Sequence, residues 1–212
     1  SKIFSSIKEE VYIYVSILLF IILLSFFTYI NSIFSVTGVT GISMLPNFNE
    51  SNEILRKNFY IKNKINYGDV VIIEDNNKKY GNRLIKRVIG LPGDRIYISH
   101  GIIFLNGSAL KQKKHSKFMH KEKTYKELEE FISNDLSYKI LDYDIFADQD
   151  YLTEKLVPEN HFFVLDDNRD FSRDSRDFGS VHKSEIIHKV LITESDLLKR
   201  ISYTFLGYYH LR

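Results

Sequence analysis

From Val11 to Asn49 the chain carries no charged residue, and Val11–Ile30 (VYIYVSILLFIILLSFFTYI) is a nearly unbroken apolar run of 20 residues. At about 1.5 Å of rise per residue, such a helix matches the roughly 30 Å hydrocarbon core of a bilayer. The run is apolar around its whole circumference, whereas a buried core helix is usually shorter and keeps a polar stripe. The pattern therefore predicts one transmembrane helix over residues 11–30. A cleavable signal peptide would have a shorter apolar region followed by an A-x-A-like site, and no such site follows here. Lys2 and Lys8 precede the helix, and the next basic residue is Arg56. The positive-inside bias then puts residues 1–10 in the cytoplasm and 31–212 on the far side.

Beyond the anchor the pattern changes to short apolar runs rich in β-branched residues. Turn signals separate them at Asn66–Tyr67–Gly68, Pro92–Gly93–Asp94, His100–Gly101 and Asn106–Gly107. This predicts a mostly β domain with strands at Asp69–Glu74, Leu84–Ile89, Arg95–Ser99, Ile102–Leu105, Phe162–Asp166 and Ile186–Thr193, the third and fourth forming a hairpin across His100–Gly101. Between Ala109 and Val157 the character shifts again. KQKKHSKFMHKEK reads as a solvated basic loop and KTYKELEEFISNDL as a short amphipathic helix, so 109–156 is expected to form a smaller inserted lobe. The tail ISYTFLGYYHL, bounded by Arg200 and Arg212, is too short to span and is expected to be a packed or interfacial end.

Composition narrows the chemistry. The 212 residues, 44% of them apolar, suffice for one ordinary core plus a membrane segment. With 29 basic against 27 acidic residues, the net charge of +2 gives no ground for a nucleic-acid partner. The absence of cysteine excludes disulfides, zinc knuckles, iron–sulfur sites and thiol nucleophiles. There is also no HExxH, P-loop or GxSxG, which leaves hydroxyl nucleophiles.

Three segments could bear that chemistry. In Val36–Phe48 (VTGVTGISMLPNF), Ser43 stands just past the anchor, two residues after Gly41 and shortly before a proline turn. Such a junction can present Oγ with its own N–H free, although an ordinary loop serine has the same local look. In Arg83–Asp94 (RLIKRVIGLPGD), strand alternation puts Leu84, Lys86 and Val88 on one face and Ile85, Arg87 and Ile89 on the other, so one of two basic neighbours must point inward. A lysine in apolar surroundings loses hydration of its charged form and can serve as a general base, the rival reading being a snorkelling edge lysine. The third segment, Phe162–Gly179, alternates acids and bases directly after a strand. Asp166, Asn168, Asp170, Ser172 and Asp174 fall at alternate positions, with Asp177 at the twelfth, as in a calcium loop. Phe171 at the sixth position, where glycine is needed, and three interleaved arginines favour an ion-paired structural loop instead.

Taken in order, the membrane helix, GISMLP, GDVVII at Gly68–Ile73, RLIKRVIGLPGD, and VPENHFFVLDDNRDFSRDSRDFG from Val157 resemble the boxes of the type I signal peptidases. These are Ser/Lys proteases that remove signal peptides from exported proteins. The resemblance implies a signal-peptidase-like β domain after one transmembrane helix, with Ser43 as nucleophile and Lys86 as general base. It makes Ser172 the group that orients the lysine amine and Asp174 with Arg176 a supporting ion pair. The oxyanion would rest on the Ser43 backbone N–H, with the Gly41 N–H or water as the second donor. Substrate would lie as a strand near Leu84 and Ile85, with small pockets around Met44 and Ile85. No metal, nucleotide or other cofactor is required. The implied partners are signal peptides and the lipid bilayer, and the implied setting is the bacterial cytoplasmic membrane or, alternatively, the mitochondrial inner membrane. The chain departs from the family at Asp166, where glycine is usual, at Gly41, where some members carry serine, and at Phe171, where asparagine is common. Two other readings are a related self-cleaving Ser/Lys protease, which the anchor and the lack of a DNA-binding region disfavour, and a membrane-tethered calcium-binding module using Asp166–Asp177.

Overall fold

A computed structural model describes residues 2–50, 52–58, 64–74, 83–143, 150–171 and 173–193. The chain divides into two units, 1–35 and 36–212. The first is α1 (Lys2–Ile33), longer at both ends than the predicted 11–30 because no glycine or proline interrupts it before the β-branched stretch that follows. Its segment Glu10–Ile33 has a mean hydropathy of 2.5, and the apolar side chains from Val11 to Tyr29 are exposed. The hydroxyls of Ser16, Thr28 and Ser32 donate to the carbonyls of Tyr12, Ser25 and Tyr29, so these polar groups are satisfied within the helix.

The second unit is mostly β. Its described strands are β1 (Phe34–Gly38), β2 (Glu53–Asn58), β3 (Val70–Glu74), β4 (Arg83–Gly90), β5 (Arg95–Ser99), β6 (Ile102–Leu105), β7 (Ser108–Ala109), β8 (Lys111–His120), β9 (Lys123–Ser133), β10 (Leu136–Asp142), β11 (Leu152–Leu156), β12 (His161–Leu165), β13 (Val181–His182) and β14 (Ile186–Thr193), with a short α-helix, α2 (Ser175–Phe178), and a 3-10 turn at Lys183–Glu185. The described strands form three sheets: β1-β2-β14-β3-β4-β12-β13, β11-β5-β6-β7 and β10-β9-β8. Val70–Ile73 of β3 is buried on both faces, with Val71 and Ile73 packing beside Val88 and Val164, and Val70 and Ile72 beside Met44 and Ile54. The predicted hairpin at His100–Gly101 is present. Both turn residues have positive φ, 50° and 73°, as a two-residue type I′ turn requires.

Two expectations for 109–156 are overturned. The basic run is not a loop but strand β8, and KTYKELEEFIS is not a helix but strand β9. The lysine-rich strand lies antiparallel to the glutamate-rich one, with Lys113 opposite Glu129 and Gln112 opposite Glu130, and β10 adds Lys139 opposite Glu129 on the other side. Cross-strand charge pairing, which a single-segment reading cannot detect, overrides the helical preference of Lys and Glu. The stretch is also continuous with the main core, since Tyr138 and Ile140 of β10 pack with Ile89, Ile96 and Phe163. The 201–211 tail lies outside the described residues.

Candidate active site

Ser43 stands in the loop that joins β1 to β2, and Gly41 turns this loop with φ at 86°. A Cβ at Gly41 would meet nothing within 4 Å, so it is the left-handed backbone and not crowding that disfavours a serine there. Two contacts from the loop after β12 hold the segment: Asn168 N donates to the Ser43 carbonyl at 2.8 Å, and Asn168 Nδ2 donates to the Ile42 carbonyl at 3.1 Å. Asn47 Nδ2 donates to Asp167 Oδ2 at 2.8 Å and to the Lys139 carbonyl at 2.7 Å. Among the described residues, the Ser43 and Gly41 N–H groups donate to no protein acceptor.

Lys86 and Arg87 are adjacent on β4, and both are buried. Strand alternation turns one of the two cations inward; the protein buries both because each meets its own carboxylate. Leu165 of β12 pairs with Arg87, so the next residue, Asp166, comes to Lys86. Lys86 Nζ donates to Asp166 Oδ2 at 2.5 Å, with the two side chains 3% and 0% exposed. The inward-facing Lys86 thus has a buried counter-ion in Asp166, the position at which the chain departs from the family's usual glycine. Burial pushes the Asp166 carboxyl up to about 7, opposed by the Lys86 charge, reinforced by the negative charge of Asp174, and opposed again by bonds from Lys86 and the Ser43 hydroxyl. Asp166 Oδ1 has no geometric hydrogen-bond partner among the described residues, so Ser43 acts on this carboxylate as a close neighbour and not through a formed bond to Oδ1.

On the other face, Arg87 grips Asp167 with two bonds, Nε to Oδ1 at 2.7 Å and Nη2 to Oδ2 at 2.6 Å. Arg169 forks onto Glu130 of β9 in the same way, at 3.2 and 2.5 Å. Asp174 caps α2 and accepts from Arg176 Nε at 2.9 Å and Nη2 at 2.7 Å, while its Oδ2 also accepts from Asp166 N at 3.2 Å. Burial would raise the Asp174 carboxyl, but the Arg176 charge and bonds hold it below the ordinary carboxylate range. These contacts lock the acidic loop into one shape. Asp166, Asp170 and Asp174 are taken by Lys86, the Tyr143 N–H and Arg176, and among the described residues no three His, Asp or Glu side chains gather as a metal site would need. Phe171, for which the sequence suggested no role, packs edge-on against Tyr125 and Tyr143, with ring centroids 6.0 and 5.5 Å away. Ser172 lies outside the described residues.

A cleft of about 260 Å³ brings together Gly41, Ser43, Met44, Leu84, Ile85 and Lys86. Sequence reasoning missed the end of edge strand β1 and the two residues after it (residues 37–40), and also Ile72, Arg56 and Arg83, which line the same cleft. The β-branched run SVTGVT directly after the helix was the available signal for the edge strand. A peptide laid along the cleft would meet apolar walls, an open strand edge, a hydroxyl and a buried amine.

Comparisons with known proteins point to one family. The family model described as "Signal peptidase, peptidase S26" matches residues 11–193. Signal peptidase I V of Bacillus subtilis is 32% identical over 160 residues, covering 74% of this chain and 83% of its own. Signal peptidase I of Bacillus caldolyticus is 33% identical over 162 residues, covering 74% of this chain and 78% of its own. A crystal structure of a signal peptidase I from Enterococcus faecalis aligns over 61% of this chain and 98% of its own, with 23% identity and a TM-score of 0.38. The match runs from within the apolar helix to the last described strand, so the whole arrangement falls within one family, and this chain belongs to the signal peptidases of peptidase family S26, which are serine endopeptidases.

Proposed function

We propose that the chain is a single-pass enzyme of the bacterial cytoplasmic membrane that removes signal peptides from exported preproteins with Ser43 and Lys86 as its dyad. The observation that carries this reading is that both side chains line one cleft beside an apolar wall and an edge strand. The apolar segment Glu10–Ile33 supports membrane spanning, with Lys2 and Lys8 on the cytoplasmic side. The bacterial relatives support the setting.

In the reaction, Lys86 in its free-amine form takes the proton from Ser43 Oγ as Oγ bonds to the scissile carbonyl carbon. The oxyanion that forms is met by the Ser43 N–H and by the Gly41 N–H, both without protein acceptors among the described residues. The C–N bond then breaks, the leaving amine takes the proton from Lys86, and the ester is hydrolysed by a water that Lys86 deprotonates. Leu84 and Ile85 guide the extended substrate, and Met44 with Ile85 limits the side chains next to the cut to small ones. The Asp174–Arg176 pair supports the loop that carries Asp166 and Ser172.

The test uses detergent-solubilised wild type, Ser43→Ala and Lys86→Ala with a preprotein bearing alanine at the first and third positions before the cut. Cleavage by wild type and at least a thousandfold loss in both variants is expected from dyad chemistry, on the order of what such groups supply. Wild-type activity in either alanine variant sinks the assignment. Cleavage of the added preprotein in trans also separates this reading from a self-cleaving protease.

A further inference from the structure

Asp166 is a buried acid that the reaction above does not use. We propose that it is a positioning residue that fixes Lys86 Nζ beside Ser43 and sets the pH at which the site becomes active; the proposal rests on the reading of Lys86 as the base. The geometry is specific. The β4–β12 ladder delivers Asp166 to Lys86, the two atoms are 2.5 Å apart, and neither side chain is more than 3% exposed. The second carboxylate oxygen is buried without a geometric hydrogen-bond partner among the described residues, and the Ser43 hydroxyl is the other donor that acts on this carboxyl.

The charged and titratable groups around the carboxyl come from each element packed on it. Lys86 faces it from β4 and Asp174 from the cap of α2. The Ser43 hydroxyl faces it from the loop after β1, and Arg169 contacts its backbone carbonyl through Nε at 3.1 Å. Arg176 is held by Asp174 and so acts on Asp166 through that residue. Lys86 is therefore the one cation in direct contact with the Asp166 side chain among the described residues.

A carboxylate against a buried ammonium stabilises the charged amine. Lys86 must shed a proton before it can accept one from Ser43, and Asp166 is the acid in direct contact with the atom that sheds it. Opposite charges at such range move titrations by about 1–3 units. The acid limb of kcat/KM, which reports groups of the free enzyme, is thus expected to fall by about 1 unit or more in Asp166→Asn. Asparagine keeps an oxygen acceptor for Nζ; Asp166→Gly removes it as well. The glycine variant should show the same shift of the limb and a lower plateau in kcat than the asparagine variant, because its lysine is no longer aimed.

The experiment measures pH profiles of preprotein cleavage for the full-length chain, both variants and Lys86→Ala, with thermal unfolding of each. A lowered acid limb in each folded Asp166 variant supports the proposal. An unmoved limb in a folded variant, with Lys86→Ala inactive, overturns the role of Asp166 and leaves the dyad standing. An active Lys86→Ala overturns the dyad, and Asp166 with it. Loss of folding in both Asp166 variants would assign the residue to structure alone and would also overturn the proposal.

Discussion

Three buried cations of this protein, Lys86, Arg87 and Arg169, each face one buried acid: Asp166, Asp167 and Glu130. Taking a charge out of water is costly, and the cost is met only when geometry and further hydrogen bonds are good. Glu130 illustrates this. Its carboxylate receives the Arg169 fork, the Tyr138 hydroxyl at 2.6 Å and Gln112 Nε2 at 2.9 Å. Burial pushes its carboxyl up, but the Arg169 charge and these donors more than offset that and hold it below the ordinary carboxylate range. A carboxyl depressed by folding contributes stability that is complete above its unfolded value and lost as pH falls through the folded one. Glu130→Gln, which leaves Arg169 without its counter-ion, is therefore expected to cost about 3–5 kcal/mol at neutral pH. Thermal unfolding at neutral pH should register a large drop in Tm, and the gap to wild type should narrow once the solution is acid enough to protonate Glu130. A gap that stays constant into strong acid would contradict the ion-pair account.

At the level of strands and turns, legibility tracked how local the determining interaction was. Apolar runs bounded by Gly and Pro gave β3, β4, β5, β6, β12 and β14 to within a residue or so at each end, and His100–Gly101 gave the hairpin turn. The edge strands β1, β11 and β13 were not foreseen, because a strand paired on one side needs little apolar content, and β2, which lies between β1 and β14, was missed because its run EILRKN is largely polar. Strands β8 and β9 were misread because their Lys and Glu favour helix in isolation, while the partner charges that fix them lie across the sheet. Of the site, the positions of Ser43 and Lys86 could be singled out from ordered motifs. The Lys86–Asp166 contact could not, since 80 residues separate its partners and it depends on the β4–β12 register. That register also requires Gly90 at the end of β4. A Cβ there would lie 2.3 Å from Ile96 Cδ1 and 3.1 Å from Phe163 Cβ. Overpacking of a filled core costs about 1–3 kcal/mol, so Gly90→Ala should lower Tm by several degrees. Because β4 also carries Lys86, cleavage should fall in the same variant under conditions where it remains folded. An unchanged Tm would show that Ile96 can swing away at little cost.

Over the whole chain, the unit spanning 36–212 is equipped to fold by itself. Its four core clusters draw on residues from Val39 to Val190, all within that unit. Removal of residues 1–33 should therefore leave a β-type circular dichroism spectrum and a cooperative melt, while cleavage of bilayer-embedded preproteins falls as the anchor's local concentration effect is lost. A non-cooperative melt would mean that α1 contributes to the fold. The stretch 109–156 has the opposite standing. Leu45, two residues after Ser43, packs against Tyr125 and Leu141, and Asn47 is bonded to the Lys139 carbonyl. The loop that carries the proposed nucleophile and strands β8–β10 thus form one piece of carpentry. For protein engineering this means that the lobe is not a cassette to be exchanged between relatives: a chimaera that kept every residue of the dyad and replaced β8–β10 would lose the joint on which the serine sits.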